Sequence, residues 1–203
     1  MTNNDILRRL RFTLNKSEQD LVKMTAKVNY QIEESQIEAW LKDEESEDYR
    51  ALQDPDFAAM LDGLILDKRG PREDGVQPPL EPKLNNNIIL RKLKIAFDLK
   101  NDEILELLTK VDFKLSKHEL SAFFRREGHK HYRELKDQIL RNFLASLQQK
   151  IRPIQEGSDH RSNDKSTLSE DLSTSSSRSQ GSTPESSARV KGTIDSKNIW
   201  KKS

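Results

Sequence analysis

The apolar positions in the first 153 residues follow the spacing of helices. Ile6, Leu7, Leu10 and Leu14 are separated by one, three and four residues, which places them on one face of a helix. Similar spacing recurs in later segments, and none of them shows the period-two alternation of a half-buried strand. The pattern therefore predicts an all-α fold built from short helices.

The helical pattern occurs twice along the chain. At a shift of 83 residues, segment 3–69 aligns without a gap with segment 86–152, and about 17 of the 67 pairs are identical. Such self-similarity is the signature of a repeat architecture. It predicts two tandem homologous four-helix units, at 1–70 and 86–153, joined by a Pro-rich linker over 71–85. We expect the two units to pack pseudo-symmetrically.

Polar residues mark the expected helix starts. Ser17-x-x-Asp20 and Ser116-x-x-Glu119 have the spacing of capping boxes. Asn4 and Asn87 are expected to cap the first helix of each unit, because an Asn side chain accepts from the free amides of a first turn. The fourth helices are predicted to begin near Asp54 and Asp137.

The composition changes after residue 153. Of the 50 residues from 154 to 203, 14 are serine and only 8 are hydrophobic. So few apolar side chains cannot offset the entropy lost on ordering a chain. The sequence predicts a disordered Ser-rich C-terminal tail over 154–203.

Three motifs resemble a known family. The string Asn-Asp-Ile-Leu-Arg at 4–8, the string at 85–96, and the segment 124–130 followed by Tyr132-Arg133 are similar to the YehS-like family of bacterial proteins. The resemblance covers about residues 3–152. It implies a bacterial cytoplasmic protein that carries one domain of unknown function twice, with no established activity or cofactor.

Composition excludes several classes of chemistry. The chain has no cysteine, which excludes disulfides, thiol nucleophiles and Cys-based metal sites. No apolar stretch approaches the roughly 18 residues that a membrane span requires. With 7 glycines, the sequence shows no phosphate-cradling loop and no nucleophile elbow. We expect no membrane association and no cofactor. Because the sequence shows no catalytic motif, we favour a non-enzymatic protein, and an enzyme is the alternative.

One polar motif recurs in both units, as Tyr-Arg-x-Leu-x-Asp at 49–54 and 132–137. It has two interpretations: Arg and Asp recognise an anion or a partner backbone, or Asp caps the fourth helix while Tyr packs and Arg pairs nearby. The repeat-equivalent polar residues are Asn4, Arg8, Tyr49, Arg50, Asp54, Asn87 and Asp137.

His118, His129 and His131 are the histidines of the second unit. Imidazoles at such positions are zinc ligands in many proteins. However, the first unit has no histidine at the equivalent places, and no further ligand is defined by a motif. We therefore predict no metal site.

The two units differ in charge. Residues 1–70 hold 10 basic and 15 acidic side chains, whereas residues 84–153 hold 15 basic and 9 acidic ones. A helix–turn–helix could occupy this basic unit, with helices at 102–111 and 116–126 around a turn at 112–115. The candidate binding residues are Arg91, Lys117, Arg125, Arg126, Tyr132 and Arg133.

These features predict a non-enzymatic, cytoplasmic, tandem-repeat helical adaptor that binds a protein partner. The alternative is a nucleic-acid-binding protein that uses the basic second unit, since charge asymmetry between halves is typical of such proteins. The turn lacks the usual glycine, and the equivalent helix of the first unit is acidic, so the protein-binding hypothesis is preferred.

Overall fold

The structure, a computed structural model, describes residues 1–73, 75–76 and 79–153. These residues form eight α-helices and no strand, which confirms the all-α prediction. The predicted tail at 154–203 lies outside the described residues. The helices are α1 (Asn3–Leu14), α2 (Glu18–Ala26), α3 (Glu34–Leu41), α4 (Asp54–Arg69), α5 (Asn86–Ala96), α6 (Asn101–Thr109), α7 (Lys117–Phe123) and α8 (Asp137–Ile151).

The helix starts follow the capping chemistry of the sequence. Ser17 and Ser116 both form the predicted capping boxes, and α4 and α8 begin at the expected aspartates. The predicted caps of α1 and α5 are wrong. Thr2 and Asn85 occupy those N-cap positions, where their side chains accept from the free amides of the first turn.

The turns between helices are also repeated. Asn15 and Asp98 follow the first helix of each unit, and Asn29 and Asp112 follow the second. All four have positive φ angles, between 52° and 56°. Asn and Asp tolerate this left-handed conformation better than other non-glycine residues. The same turn chemistry therefore leads each unit into its third helix.

The four helices α1, α4, α5 and α8 begin at the same end of the molecule. Asn3 Nδ2 donates to Asp54 Oδ1 at 2.8 Å, and Asn86 Nδ2 donates to Asp137 Oδ1 at 2.7 Å. We call this end the N-terminal pole. The first helix of each unit makes its largest helix–helix contact with the last helix of the other unit, so α1 packs on α8 and α5 packs on α4.

Both units share one hydrophobic core. The described residues up to 153 form a single compact unit, and the buried cluster includes side chains from all eight helices. Phe57, Phe123 and Phe143 are among its largest fully buried side chains. Burying a side chain of this size contributes about 1.5–3 kcal/mol. Neither unit could expose its share of this core without a large loss of stability.

No described helix combines the length and apolar character that a membrane crossing needs.

One half-buried hydrogen bond between side chains occurs in the first unit and has no equivalent in the second. Tyr30 Oη donates to Asp56 Oδ1 at 2.7 Å, and this bond is the main reason that the pKa of Tyr30 rises from 10.0 to about 12. The second unit has Phe113 and Ile139 at the equivalent positions. The bond is therefore an addition to the fold and not part of its repeated framework.

We expect the Tyr30 hydroxyl to titrate with a pKa of about 12, above the ordinary tyrosine value, when phenolate absorbance is followed. Asp56→Asn should bring its pKa down towards the ordinary value, because the carboxylate acceptor is lost. Since the folded pKa is raised, the bond's contribution to stability is full below pH about 10 and is lost between about 10 and 12. Tyr49→Phe is the control and should leave the high-pH transition in place, whereas a Tyr30 transition near 10 would contradict the assignment.

Candidate functional site

The repeated aspartates join the two units at the N-terminal pole. Asp54 accepts from Asn3 in its own unit and, through Oδ2, from the backbone amide of Leu84 at 3.1 Å. Asp137 accepts from Asn86, and its Oδ2 accepts from the amino group of Met1. Met1 and Leu84 occupy equivalent positions of the repeat. Each aspartate therefore accepts an equivalent hydrogen bond from a residue that precedes the first helix of the other unit.

These bonds give both aspartates partners within the protein. Both carboxylates are engaged by protein groups, and the amino group of Met1 together with Asn86 holds the pKa of Asp137 below its ordinary value. Neither residue is the helix cap, because Gln53 and Lys136 occupy the cap positions. Asp54 and Asp137 are positioning residues of the interface between units.

Asn4 and Asn87 hold the chain between the third and fourth helices. Asn87 is 2 % exposed, and its Nδ2 donates to Phe123 O at 2.9 Å and to Arg133 O at 2.8 Å. Its Oδ1 accepts from Leu135 N at 2.9 Å. Asn4 makes the same three bonds in the first unit. Each side chain acts as a clamp on a loop, and we call the two residues the asparagine clamps.

The repeated arginines of the first helices have different surroundings. Arg8 donates to Lys42 O at 2.6 Å and to Asp5 Oδ1 at 2.9 Å. Arg91, its equivalent, has Ile88 where Asp5 stands, and it forms no ion pair within the described residues. The difference leaves Arg91 available to a ligand or partner.

Tyr132 lies beside Arg91 on the second unit. It is half-buried, and burial is the main cause of its raised pKa. The charges of Glu127 and Glu134 raise this pKa further, whereas the charge of Arg91 opposes them. The phenol therefore stays protonated at neutral pH and remains a hydrogen-bond donor.

Arg50 and Arg133 are the arginines of the repeated Tyr-Arg-x-Leu-x-Asp motif. Arg50 donates to the carbonyls of Glu47 and Tyr49, so it stabilises its own loop. Arg133 is exposed and also has an interaction partner. The structure thus gives Arg50 a local structural role.

The loop at 125–131 carries two of the six predicted binding residues, Arg125 and Arg126, and we call it the basic loop. Arg125, Arg126 and Lys130 are exposed, and none of them forms an ion pair with another described residue. Lys117 lies nearby in sequence, where it pairs with Asp102 at 2.9 Å on an open surface. Such exposed pairs contribute little stability, so this lysine exchanges partners easily.

The equivalent loop of the first unit, at 42–48, has the opposite charge, and we call it the acidic loop. It holds five carboxylates and one lysine, and that lysine already pairs with Asp48 at 2.9 Å. The two loops have the same framework, since Arg50 N donates to Ala39 O just as Arg133 N donates to Ala122 O. One scaffold therefore presents two loops of opposite charge.

The helix–turn–helix interpretation does not match the observed bounds. The segment between α6 and α7 runs from 110 to 116, which is longer than the three- or four-residue turn of that motif. Helix α7 ends at Phe123, so Arg125 and Arg126 lie beyond it. Asn87 and Arg133 bond the carbonyls of Phe123 and Ala122, which ends the helix early.

The three histidines lie close together, His118 on α7 and the other two, His129 and His131, within the basic loop. The ring centroids of His118 and His131 are 6.5 Å apart, and those of His129 and His131 are 5.6 Å apart. His129 Nδ1 accepts from the backbone amide of His131 at 3.1 Å. Over residues 1–73, 75–76 and 79–153, no cluster of three His, Cys, Asp or Glu side chains has the geometry to hold a metal ion.

A buried group of three charged side chains was not predicted from the sequence. Lys92 on α5 lies 2.5 Å from Asp62 on α4 and 2.5 Å from Glu81 in the linker. Its side chain is 8 % exposed. The sequence held one signal, because Lys92 falls three residues after Ile89 on the apolar face of its helix.

The fold and these surfaces define a tandem-repeat, all-α protein in which two copies of one helical domain share a core. The chain belongs to the family described as "Protein of unknown function (DUF1456)", whose model matches residues 3–70 and 86–152. It is similar to "Uncharacterized protein YehS" of Escherichia coli (strain K12), with 44% identity over 149 residues, 72% of this chain and 94% of that protein. No solved structure shows a significant match. The resemblance to the YehS-like family is therefore confirmed.

Proposed function

We propose that this protein is a non-enzymatic cytoplasmic adaptor whose basic loop binds an acidic segment of a protein partner. The observation that carries the proposal is the inversion of charge between two loops that stand on the same framework. A purely structural loop would need no such difference, because the asparagine clamps hold both loops in the same way.

The basic loop is suited to carboxylates. Arginine presents a planar set of donors that matches a carboxylate in two-point fashion, and Arg125 and Arg126 have no competing ion pair among the described residues. Arg91 and the Tyr132 hydroxyl offer further donors on the same unit.

The acidic loop supports a protein partner over a nucleic acid. Both loops lead into helices that begin at the N-terminal pole, so they lie at the same end of the molecule. A long polyanion that crosses this end would meet the five carboxylates of the acidic loop. A folded protein with both charges on its surface could satisfy both loops.

Nucleic acid is the second candidate, because the unpaired arginines of the basic loop suit phosphates as well as carboxylates. A short single strand could contact the basic loop without reaching the acidic one. The cytoplasmic location is supported by the absence of cysteine and by the resemblance to the YehS-like family.

The double substitution Arg125→Glu/Arg126→Glu tests the proposal. In fluorescence anisotropy with a labelled Asp- and Glu-rich peptide, we expect affinity to fall by about 30-fold, since about 1 kcal/mol is lost per reversed contact. The same labelled assay is run with random-sequence single-stranded and duplex DNA. Pull-down with the wild-type chain and the variant then isolates the partner itself.

Lys110→Glu/Lys114→Glu is the matched control, because it changes net charge equally at two exposed positions away from the basic loop. It should leave peptide binding within about twofold of wild type. Equal losses in both variants would show a non-specific charge effect and would sink the proposal. Tight, salt-dependent binding of DNA without binding of the peptide would establish the second candidate instead.

A further inference from the structure

A cleft of about 570 Å³ lies between α4, α5 and the linker, away from the basic loop's own residues. Small-molecule sites in proteins commonly have volumes of this size and apolar walls. Here the walls are formed largely by Ile65, Leu66, Leu80, Ile88 and Ile95. The cleft therefore offers an apolar surface to a compact ligand.

The lining also contains the buried charged group. Lys92 contacts Asp62 Oδ1 in a hydrogen bond and Glu81 Oε2 in an ion pair, both at 2.5 Å. The group thus brings two carboxylates to one ammonium. Asp62 Oδ2 is buried and accepts no hydrogen bond from any described residue. A buried carboxylate oxygen without a donor is costly, so a ligand that supplies a donor gains binding energy.

The direction of the pKa shift of Asp62 agrees with a missing hydrogen-bond donor. Burial is the largest influence on its pKa and raises it, the charge of Glu81 adds to this, and Lys92 acts in the opposite direction. An added hydrogen-bond donor would compensate the buried charge directly.

The fold does not require this charged group. The contact of α8 with α1 is equivalent to that of α4 with α5, and it has Ala145 and Arg9 where Asp62 and Lys92 stand. Replacing buried ion pairs by apolar groups is often neutral or stabilising. A charged group that occurs at only one of two equivalent contacts therefore indicates a role other than stability.

We propose that this cleft binds a small molecule with an apolar body and an amine head, and that the amine donates to Asp62 Oδ2. The apolar body lies against the isoleucine and leucine side chains of α4 and α5. Among the charged side chains that line the cleft, Arg69 is already paired with Asp98 at 2.9 Å, whereas Asp62 Oδ2 is a buried carboxylate oxygen without a donor. This oxygen selects the amine head.

The test compares hexylamine, hexanol and hexanoate, three probes with the same apolar chain, on the full chain by NMR chemical-shift titration. Hexylamine should bind most tightly, with shifts in the methyl groups of Ile65, Leu66 and Ile88. Asp62→Ala, the residue of the equivalent contact, should weaken hexylamine by about tenfold and abolish its preference over hexanol. Equal or tighter binding of hexanoate, or no binding of any probe, would overturn the proposal.

Two further variants keep the test decisive. Asp112→Asn changes an exposed carboxylate to the residue that the first unit has at that position, so it should leave binding unchanged. Ile95→Trp fills the cleft from a position that is 47 % exposed, where folding tolerates a large side chain. It should block hexylamine while Asp62 remains intact, and unaltered binding would show that the amine sits elsewhere.

Discussion

Gly63→Ser lowers the free energy of unfolding by about 3 kcal/mol, because the backbones of α2 and α4 touch at this residue. A Cβ on Gly63 would lie 2.3 Å from the carbonyl oxygen of Met24 and 2.8 Å from its carbonyl carbon. Backbone atoms cannot rotate away as a flexible side chain does. The helices must separate, which opens gaps along a contact that includes the buried Met60 and Leu21. Urea unfolding measures the loss.

The second unit supplies the control for this prediction. Serine stands at the equivalent position, Ser146, where it is 1 % exposed and donates to Asn142 O at 3.0 Å. Ser146→Gly should cost about 1 kcal/mol, from one hydrogen bond and the entropy of a glycine in a helix. Gly63→Ser and Ser146→Gly thus make the same exchange of glycine and serine in opposite directions at equivalent positions. Equal losses in the two variants would show that α2 and α4 are not in tight contact.

The helices could be predicted from the sequence because their causes are local. Apolar spacing fixes the buried face of each helix, and Ser17 and Ser116 fix two of the starts through bonds within one turn. The tandem units followed from self-similarity at one fixed shift. The partner of each helix could not be predicted, because an apolar face has the same pattern whichever helix covers it. The contacts of α1 with α8 and of α5 with α4 are therefore visible only in the structure.

The roles of the polar residues depend on burial, which explains where prediction failed. Asn4 and Asn87 have the residue type of a cap and stand near a helix start, but they lie on the buried face and bond distant backbone groups. Asp62 and Lys92 would be taken as surface charges from the sequence. Arg125 and Arg126, two of the predicted binding residues, are exposed in the structure, as a binding role requires.

Asn4→Ala and Asn87→Ala are each expected to lower the free energy of unfolding by about 3–4 kcal/mol. Each substitution removes three hydrogen bonds and leaves two carbonyls and one amide without a partner in a buried site. The losses should be equal because the two geometries are equal. Unfolding should remain a single transition, since both units share one core. Urea unfolding followed by circular dichroism measures both properties.

Asn101→Ala is the control, because Asn101 is exposed and its side chain accepts one hydrogen bond, from the half-buried Lys94; it should cost less than about 0.5 kcal/mol. The two clamp variants also separate stability from the proposed function. Asn87 holds the basic loop and Asn4 holds the acidic loop, so only Asn87→Ala should weaken binding of the acidic peptide at temperatures where both variants are folded. A loss below about 1 kcal/mol would show that the clamps are replaceable by water. Equal weakening of peptide binding in both variants would show that the peptide does not depend on the order of the basic loop.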